Sequence, residues 1–498
     1  MKYVLIIFSV FLFSLTVISC SSEDGDSSTT SSTSSTCSSS IISTSQLARS
    51  SNDYAYGVAV DSSGNVYVAG GTNGGLDGNT NAGNTDLFVV KYNSSGTKQW
   101  TNQLGSSSRD SANGVATDSS GNVYVTGMTK GGLDGCKSAG VEDLFVVKYN
   151  SSGTKQWTNQ LGSSSRDSAN GVATDSSGNV YVTGTTYWEL DGNTSAGKAD
   201  LFVVKYNSSG TKQWTKQNGT DRYDEARGVA TDSSGNVYVT GYTEGGLDGN
   251  TSAGRSDLFV VKYNSSGTKQ WTKQLGTWDS DFANGVATDS SGNVYVTGST
   301  YRNLDGNTSA GNADPFVVKF NSSGTKQWTK QLGSSSDDYA NGIVTDSSGS
   351  VYVSGTTYGG LDGNTSAGNA DLFVVKYNSS GTKQWTKQLG TSSTDTANGV
   401  ATDSSGNVYV AGGTYGGLDG NTSAGVNDLF VVKYNSSGTK QWTKQLGTSS
   451  TDLANGVATY SSGNVHVTGY TGGGLDGNTS AGVNDLFVVK YNSSGTKQ

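Results

Sequence analysis

Short runs of β-branched and aromatic residues alternate with clusters of Gly, Asn, Asp and Ser along nearly the whole chain. Between Ala112 and Gly162, two runs (Gly114–Thr117 and Asn122–Gly127) flank the turn Asp118-Ser119-Ser120-Gly121. Two more, Asp143–Tyr149 and Thr154–Leu161, flank Asn150-Ser151-Ser152-Gly153, and a Gly-rich loop from Met128 to Val141 joins the two pairs. This composition predicts four strands, with glycines at turn positions that need a positive φ. The third run is apolar on both faces, Leu144 and Val146 on one, Phe145, Val147 and Tyr149 on the other. A strand of that kind has to be covered on both sides. The fourth run is more polar, as an outer edge would be.

The pattern repeats at a fixed step of 57 residues, from Trp100 through Trp157, Trp214, Trp271, Trp328 and Trp385 to Trp442. The aspartate opening the third strand recurs eight times, from Asp86 to Asp485. A period of this length means one supersecondary unit stacked many times. Four antiparallel strands with covered inner strands make the blade of a β-propeller; an open β-solenoid is the alternative, although its turns usually have shorter repeats. The ends favour a closed ring. The last repeat stops at Gln498 without a fourth strand, while Ile41–Leu47 aligns with the fourth strand Lys98–Leu104 and has no blade before it. The expected fold is all-β: eight four-stranded blades over residues 41–498, closed by exchange of the N-terminal strand. Closure removes exposed sheet edges, so a monomer is expected.

Residues 1–20 read as a signal peptide, with Lys2 before an apolar stretch from Val4 to Ile18. Val17-Ile18-Ser19-Cys20 resembles the lipobox of bacterial lipoproteins, which implies lipidation of Cys20 and attachment to the cell envelope, at the outer membrane or cell surface, through the lipid alone. Residues 21–40 are almost all Ser and Thr and read as a disordered tether. Cys37 and Cys136 are the other two cysteines; with no framework around them the spacing does not predict a disulfide. A net charge of −9 argues against nucleic acid and anionic lipid as partners.

The sequence D-x-A-x-G-V-A-x-D-S-S-G-N-V-Y-V-x-G, followed by D-L-F-V-V-K-Y-N-S-S-G-T-K-Q-W-T-K-Q-L-G, resembles the SBBP β-propeller repeat family, whose members include bacterial, notably spirochaetal, secreted proteins and lipoproteins. The resemblance runs from about Ile41 to Gln498. The family name implies seven blades, whereas the repeats count eight. It implies no single activity.

Chemistry is expected on one rim only. The first-to-second and third-to-fourth turns are nearly invariant between copies. The second-to-third loops read Asn73, Lys130, Tyr187, Glu244, Tyr301, Tyr358, Tyr415 and Gly472 at one position. The connections between blades read Tyr54, Ser111, Ser168, Glu225, Phe282, Tyr339, Thr396 and Leu453. Variable loops on a rigid scaffold are the usual place for binding. Blades three to five concentrate the aromatic and arginine side chains typical of interfaces: Tyr187, Trp188, Glu189, Arg222, Tyr223, Glu225, Arg227, Tyr242, Glu244, Arg255, Trp278, Phe282, Tyr301 and Arg302. A protein or a glycan is the expected partner; an envelope component without a dedicated ligand is the competing reading.

The loop Asp191–Asp200 has oxygen side chains at its first, third, fifth and tenth positions, as a calcium loop does, but lacks the EF-hand spacing. An aspartate before each first strand, from Asp53 to Asp452, is expected to cap a turn, the alternative being an acidic ring at the channel mouth. No cofactor and no catalytic residues are expected. His466 is the single histidine and stands where other repeats have tyrosine, so no Ser-His-Asp or Cys-His arrangement can be assembled. Symmetric repeats also give carboxylates no means of becoming an unlike acid and base.

Overall fold

A computed structural model describes residues 44–47, 51–460 and 463–498. Blade two shows how one repeat folds: strands Asp110–Thr117, Val123–Thr129, Asp143–Tyr149 and Lys155–Leu161 form one antiparallel sheet in chain order. The third strand is buried along its whole length, and the fourth is exposed at Lys155 and Gln156 and half-buried beyond. Eight such four-stranded sheets are present. The seven blades implied by the family name are therefore corrected to eight.

The innermost strand is longer than its apolar run suggests. It begins at Asp110, and the register shifts between Ala112 and Gly114, so Asn113 is the extra residue of a bulge. The second-to-third loop holds a one-turn 3₁₀ segment, Leu133–Gly135, that the sequence pattern does not reveal. Its Leu133 is fully buried, and Asp134 takes φ 55°. Cys136 follows it as a half-buried free thiol; Cys20, the 21–40 tether and Cys37 lie outside the described residues.

Most recurring residues join one blade to the next. Tyr67 donates to Asp61 and to the Gly121 carbonyl of the following blade, each at 3.0 Å. The Lys91 ammonium reaches the Ser151 carbonyl at 2.6 Å. The Trp100 indole lies on Gly153, where φ is 86° and a Cβ would stand 2.8 Å from the ring. The turn sequence is thus fixed by the neighbouring blade as well as by its own backbone.

The ring closes as the end alignment requires. Thr44–Leu47 pairs antiparallel with Asp485–Tyr491, from Thr44 opposite Val489 to Leu47 opposite Leu486. Gln46 accepts from Leu475 N at 2.9 Å and donates to Gly473 O at 3.0 Å and Asp485 Oδ2 at 2.8 Å. Gln103 makes the same bonds inside blade one, to Leu76, Gly74 and Asp86. At the inner strands, Asn455 of blade eight donates to Ala55 O of blade one at 2.8 Å. The innermost strands surround a central channel, where Val58, Ile343, Val400 and Val457, together with Thr345, Thr402 and Thr459, line a cavity of about 470 Å³.

Candidate functional site

The variable face rests on a fixed base. In each second-to-third loop a buried leucine plugs the blade and its N–H donates to the outer-strand glutamine, as Leu247 does to Gln274 at 2.8 Å. The aspartate after it pairs with the lysine that opens the fourth strand, Asp248 with Lys269. These contacts hold the loop stems and leave the variable positions to be presented outward.

On that base, blades four to six carry a continuous arc of rings. Tyr242 and Phe282 meet edge to face at 5.0 Å, and Phe282 meets Tyr301 in the same manner at 6.4 Å. On the next blade Tyr339, whose pKa is raised by burial and by neighbouring Tyr301, meets Tyr358 at 6.4 Å and 90°. The Arg227 guanidinium lies 4.9 Å from the Tyr242 centroid and 5.4 Å from that of Phe282. It is held by Glu225 Oε1 at 3.0 Å and Asn284 Oδ1 at 2.9 Å. The Tyr242 hydroxyl donates to Glu225 Oε2 at 3.2 Å; burial, followed by the Glu225 charge, pushes its pKa up to about 12. The tyrosine therefore stays a neutral donor. Cation–π contact and a paired carboxylate together fix Arg227 without using all of its donors.

Beside the arc, Trp278 is 66% exposed and backed by Arg302, whose guanidinium lies 4.3 Å from the ring centroid. Asp279 Oδ2 at 3.1 Å and the Tyr301 carbonyl at 2.9 Å hold that arginine. One indole face is thereby rigidly supported. A second, smaller group sits at the closure: Tyr54 stacks with Tyr56 at 6.1 Å and meets Tyr470 edge-on at 5.2 Å.

Of the residues expected from sequence, Glu225, Arg227, Tyr242, Phe282 and Tyr301 come together, with the Glu244 charge acting on Tyr242. Trp278 and Arg302 form the adjoining pair. Tyr187, Trp188, Glu189, Arg222, Tyr223 and Arg255 are exposed on neighbouring loops, apart from the arc, with the Lys198 ammonium over the Tyr223 ring. Tyr339 and Tyr358 complete the arc, yet blades three to five stop one blade short of them. Both belong to the two variable columns, and that was the signal available.

The calcium reading does not fit these residues. Asp191 pairs with Lys212 and accepts from Thr215 Oγ1 at 2.5 Å. Asp200 is fully buried and accepts from Ala196 N at 2.9 Å and Gln217 Nε2 at 2.7 Å. Asn193 and Ser195 bond within the loop, to Leu190 O and Gly197 O. The carboxylates face separate protein donors and do not converge. Among the described residues no group of three or more His, Cys, Asp or Glu is placed to hold a metal.

The recurring aspartates of the inner strand are its first residues and do not precede it. The seven from Asp110 to Asp452 do cap: Asp110 accepts from Ser106 N at 2.5 Å and Ser106 Oγ at 2.9 Å, and from Thr129. All eight are fully buried, which excludes an acidic ring at the channel mouth. His466 is buried in its strand, and burial drives its pKa down to about 3.

Among curated proteins, the chain is 26% identical over 440 residues to the regulatory protein FlaEY of Caulobacter vibrioides, covering 76% of this chain and 46% of that protein. It is 23% identical over 468 residues to a WD repeat-containing protein of Acanthamoeba polyphaga mimivirus, covering 69% and 34% respectively. The chain thus spans less than half the length of either relative. Among solved structures, it aligns with Sqt1 from Chaetomium thermophilum at a TM-score of 0.49 and 10% identity, covering 90% of this chain and 99% of that one. A gluconolactonase from Xanthomonas campestris aligns at 0.31 and 12% identity, covering 61% and 83%. The propeller assignment stands on the strand topology and not on these superpositions. The β-propeller repeat described as SBBP matches eight segments, residues 44–77, 99–134, 156–187, 213–248, 270–305, 327–362, 384–419 and 441–476, together more than half of the sequence. The chain belongs to the SBBP β-propeller repeat family.

Proposed function

We propose that this protein is a non-enzymatic binding propeller that recognises a macromolecular ligand, a protein or a glycan, through the variable face of blades four to six. The observation carrying this reading is the arc from Tyr242 to Tyr358 with Arg227 seated on it, beside the open indole of Trp278. Supported rings and held arginines lose little conformational freedom on binding, and such side chains dominate interface energetics. Anchoring belongs to the same proposal: lipidation at Cys20 would attach the ring to the bacterial envelope, at the outer membrane or cell surface, with the 21–40 stretch as spacer. Protease accessibility on intact cells tests that part.

The binding reading is tested by screening the protein against glycan arrays and a panel of host and envelope proteins. The variants Trp278→Ala and Tyr358→Ala are screened alongside, with Trp188→Ala as an outlying control. Loss of an anchor ring is expected to weaken binding by about 30-fold, a hot-spot effect of about 2 kcal/mol. Binding that survives both the Trp278 and the Tyr358 substitution unchanged removes this face from consideration. Absence of any ligand favours a structural envelope component.

A further inference from the structure

The outer circumference carries a different concave feature, repeated at successive blade junctions. Pockets of about 440, 400 and 400 Å³ lie between the fourth strand of one blade and the hairpin turn of the next, at junctions four–five, five–six and six–seven. At junction six–seven the lining includes Lys387 and the half-buried Leu389 from the fourth strand, Ser437, Thr439 and Lys440 from the turn region of the next blade, and the buried Tyr434. The turn glycine lets the neighbouring fourth strand pack closely beside the pocket: Gly438 has φ 81°, and a Cβ there would stand 2.8 Å from the Trp385 ring and 3.0 Å from Lys387 Cε.

The two lysines differ electrostatically. Lys440 is neutralised by Asp419. No ion pair among the described residues includes Lys387 or its equivalents Lys330 and Lys273, although the chain as a whole carries net charge −9. The same column shows what the position does when it is only structural. In blades one and two it holds Asn102 and Asn159, whose amides donate to Gly153 O and Gly210 O of the next blade at 2.9 Å. In later blades lysine gives up that junction bond and puts an unpaired ammonium at the pocket wall.

A half-buried leucine, a hydroxyl-bearing wall and one uncompensated cation match a sugar ring that carries a single carboxylate. We propose that the junction pockets of Lys273, Lys330 and Lys387 bind the units of an acidic polysaccharide, a polyuronate chain. Each lysine takes one carboxylate, so the three junctions offer three such sites.

The test is calorimetric titration of the full chain with a galacturonate hexamer, and with a neutral maltohexaose as comparison. The acidic oligomer is expected to bind, to weaken with added salt, and to outcompete the neutral one. Loss of a charge-assisted bond costs about tenfold, so Lys387→Met alone is expected to weaken binding by about that factor and the triple variant Lys273→Met, Lys330→Met, Lys387→Met by more. Methionine keeps the stem that packs on the glycine, and the corresponding arginine variants are expected to retain binding. Phe282→Ala on the variable face is expected to leave oligouronate binding unchanged, which separates this site from the proposed macromolecule face. The proposal is overturned by absent binding, by equal binding of the neutral oligomer, or by a triple variant that binds as tightly as the parent.

Discussion

The buried aspartates of the inner strands predict that this propeller loses stability as pH rises through the weakly acidic range. Asp281 is the sharpest case. It is fully buried, and burial raises its carboxyl to about 6 from 3.8, opposed by hydrogen bonds from Thr300 and Thr277 and reinforced by the charge of Asp257 on the preceding blade. A carboxyl raised in the folded state contributes stability that is complete below 3.8 and is lost as pH passes through about 6. Two units correspond to about 3 kcal/mol. Asp110, Asp167, Asp224, Asp338, Asp395 and Asp452 are shifted in the same direction by burial and add to the slope. Asp134, Asp248, Asp346 and Asp419 are shifted downward, so their contribution is already complete above the ordinary carboxylate range and is lost only on further acidification. The perturbation is Asp281→Asn. The amide oxygen can keep the bonds from Thr277 N and Oγ1, and its NH₂ can donate to Thr300 Oγ1, whose own proton then serves the Arg302 carbonyl at 3.1 Å. Urea denaturation midpoints between pH 4 and 8 are the assay. The variant is expected to gain on the parent progressively across that window, by up to about 3 kcal/mol at the alkaline end. Parallel profiles for the two proteins would refute the reasoning.

Two further outcomes follow from the junctions. Gln46→Ala and Gln103→Ala each strand a buried leucine N–H and are each expected to cost about 1–3 kcal/mol. Only the first should also speed amide exchange across Asp485–Tyr491, and equal exchange there in both variants would show that the clasp does not hold the ring. In blade seven Tyr409 bridges Asp403 and Gly463 at 3.0 Å each, whereas blade eight has Tyr460 and His466 in those columns, with His466 Nδ1 unpartnered. Combining Tyr460→Asp with His466→Tyr is expected to exceed the sum of the single changes by about 0.5–3 kcal/mol in thermal denaturation, and strict additivity would contradict the coupling.

How much could be read from sequence depended on what each column does. The covered third strand, the polar fourth strand and the clasp were legible because apolar content and repeat phase report them directly. The first half of the inner strand was not. Asp110, Ser111 and Asn113 are polar, and the bulge at Asn113 breaks the alternation that marks a strand. The Leu-Asp-Gly turn was equally hidden, because Asp134 adopts a positive φ that its residue type does not announce. Calcium was suggested by the same oxygens that, in place, serve Lys212, Gln217 and the backbone.

The candidate site follows the opposite rule from the fold. The constant columns are constant across repeats because each side chain answers to the next blade: Tyr67 to Gly121, Lys91 to Ser151, Trp100 to Gly153. Their recurrence therefore says nothing about ligands. Information about binding is confined to columns released from that duty, whose residue changes from blade to blade as in those of Phe282 and Tyr301, and to columns such as that of Asn102 and Lys387, where a junction bond has been exchanged for a charge. Sequence alone could name those columns. It could not show that Tyr242 of one blade meets Phe282 of the next, because residues adjacent across a junction are separated along the chain by most of a repeat. In a ring of near-identical modules, function is carried by departures from the repeat, and the fold decides which departures become neighbours.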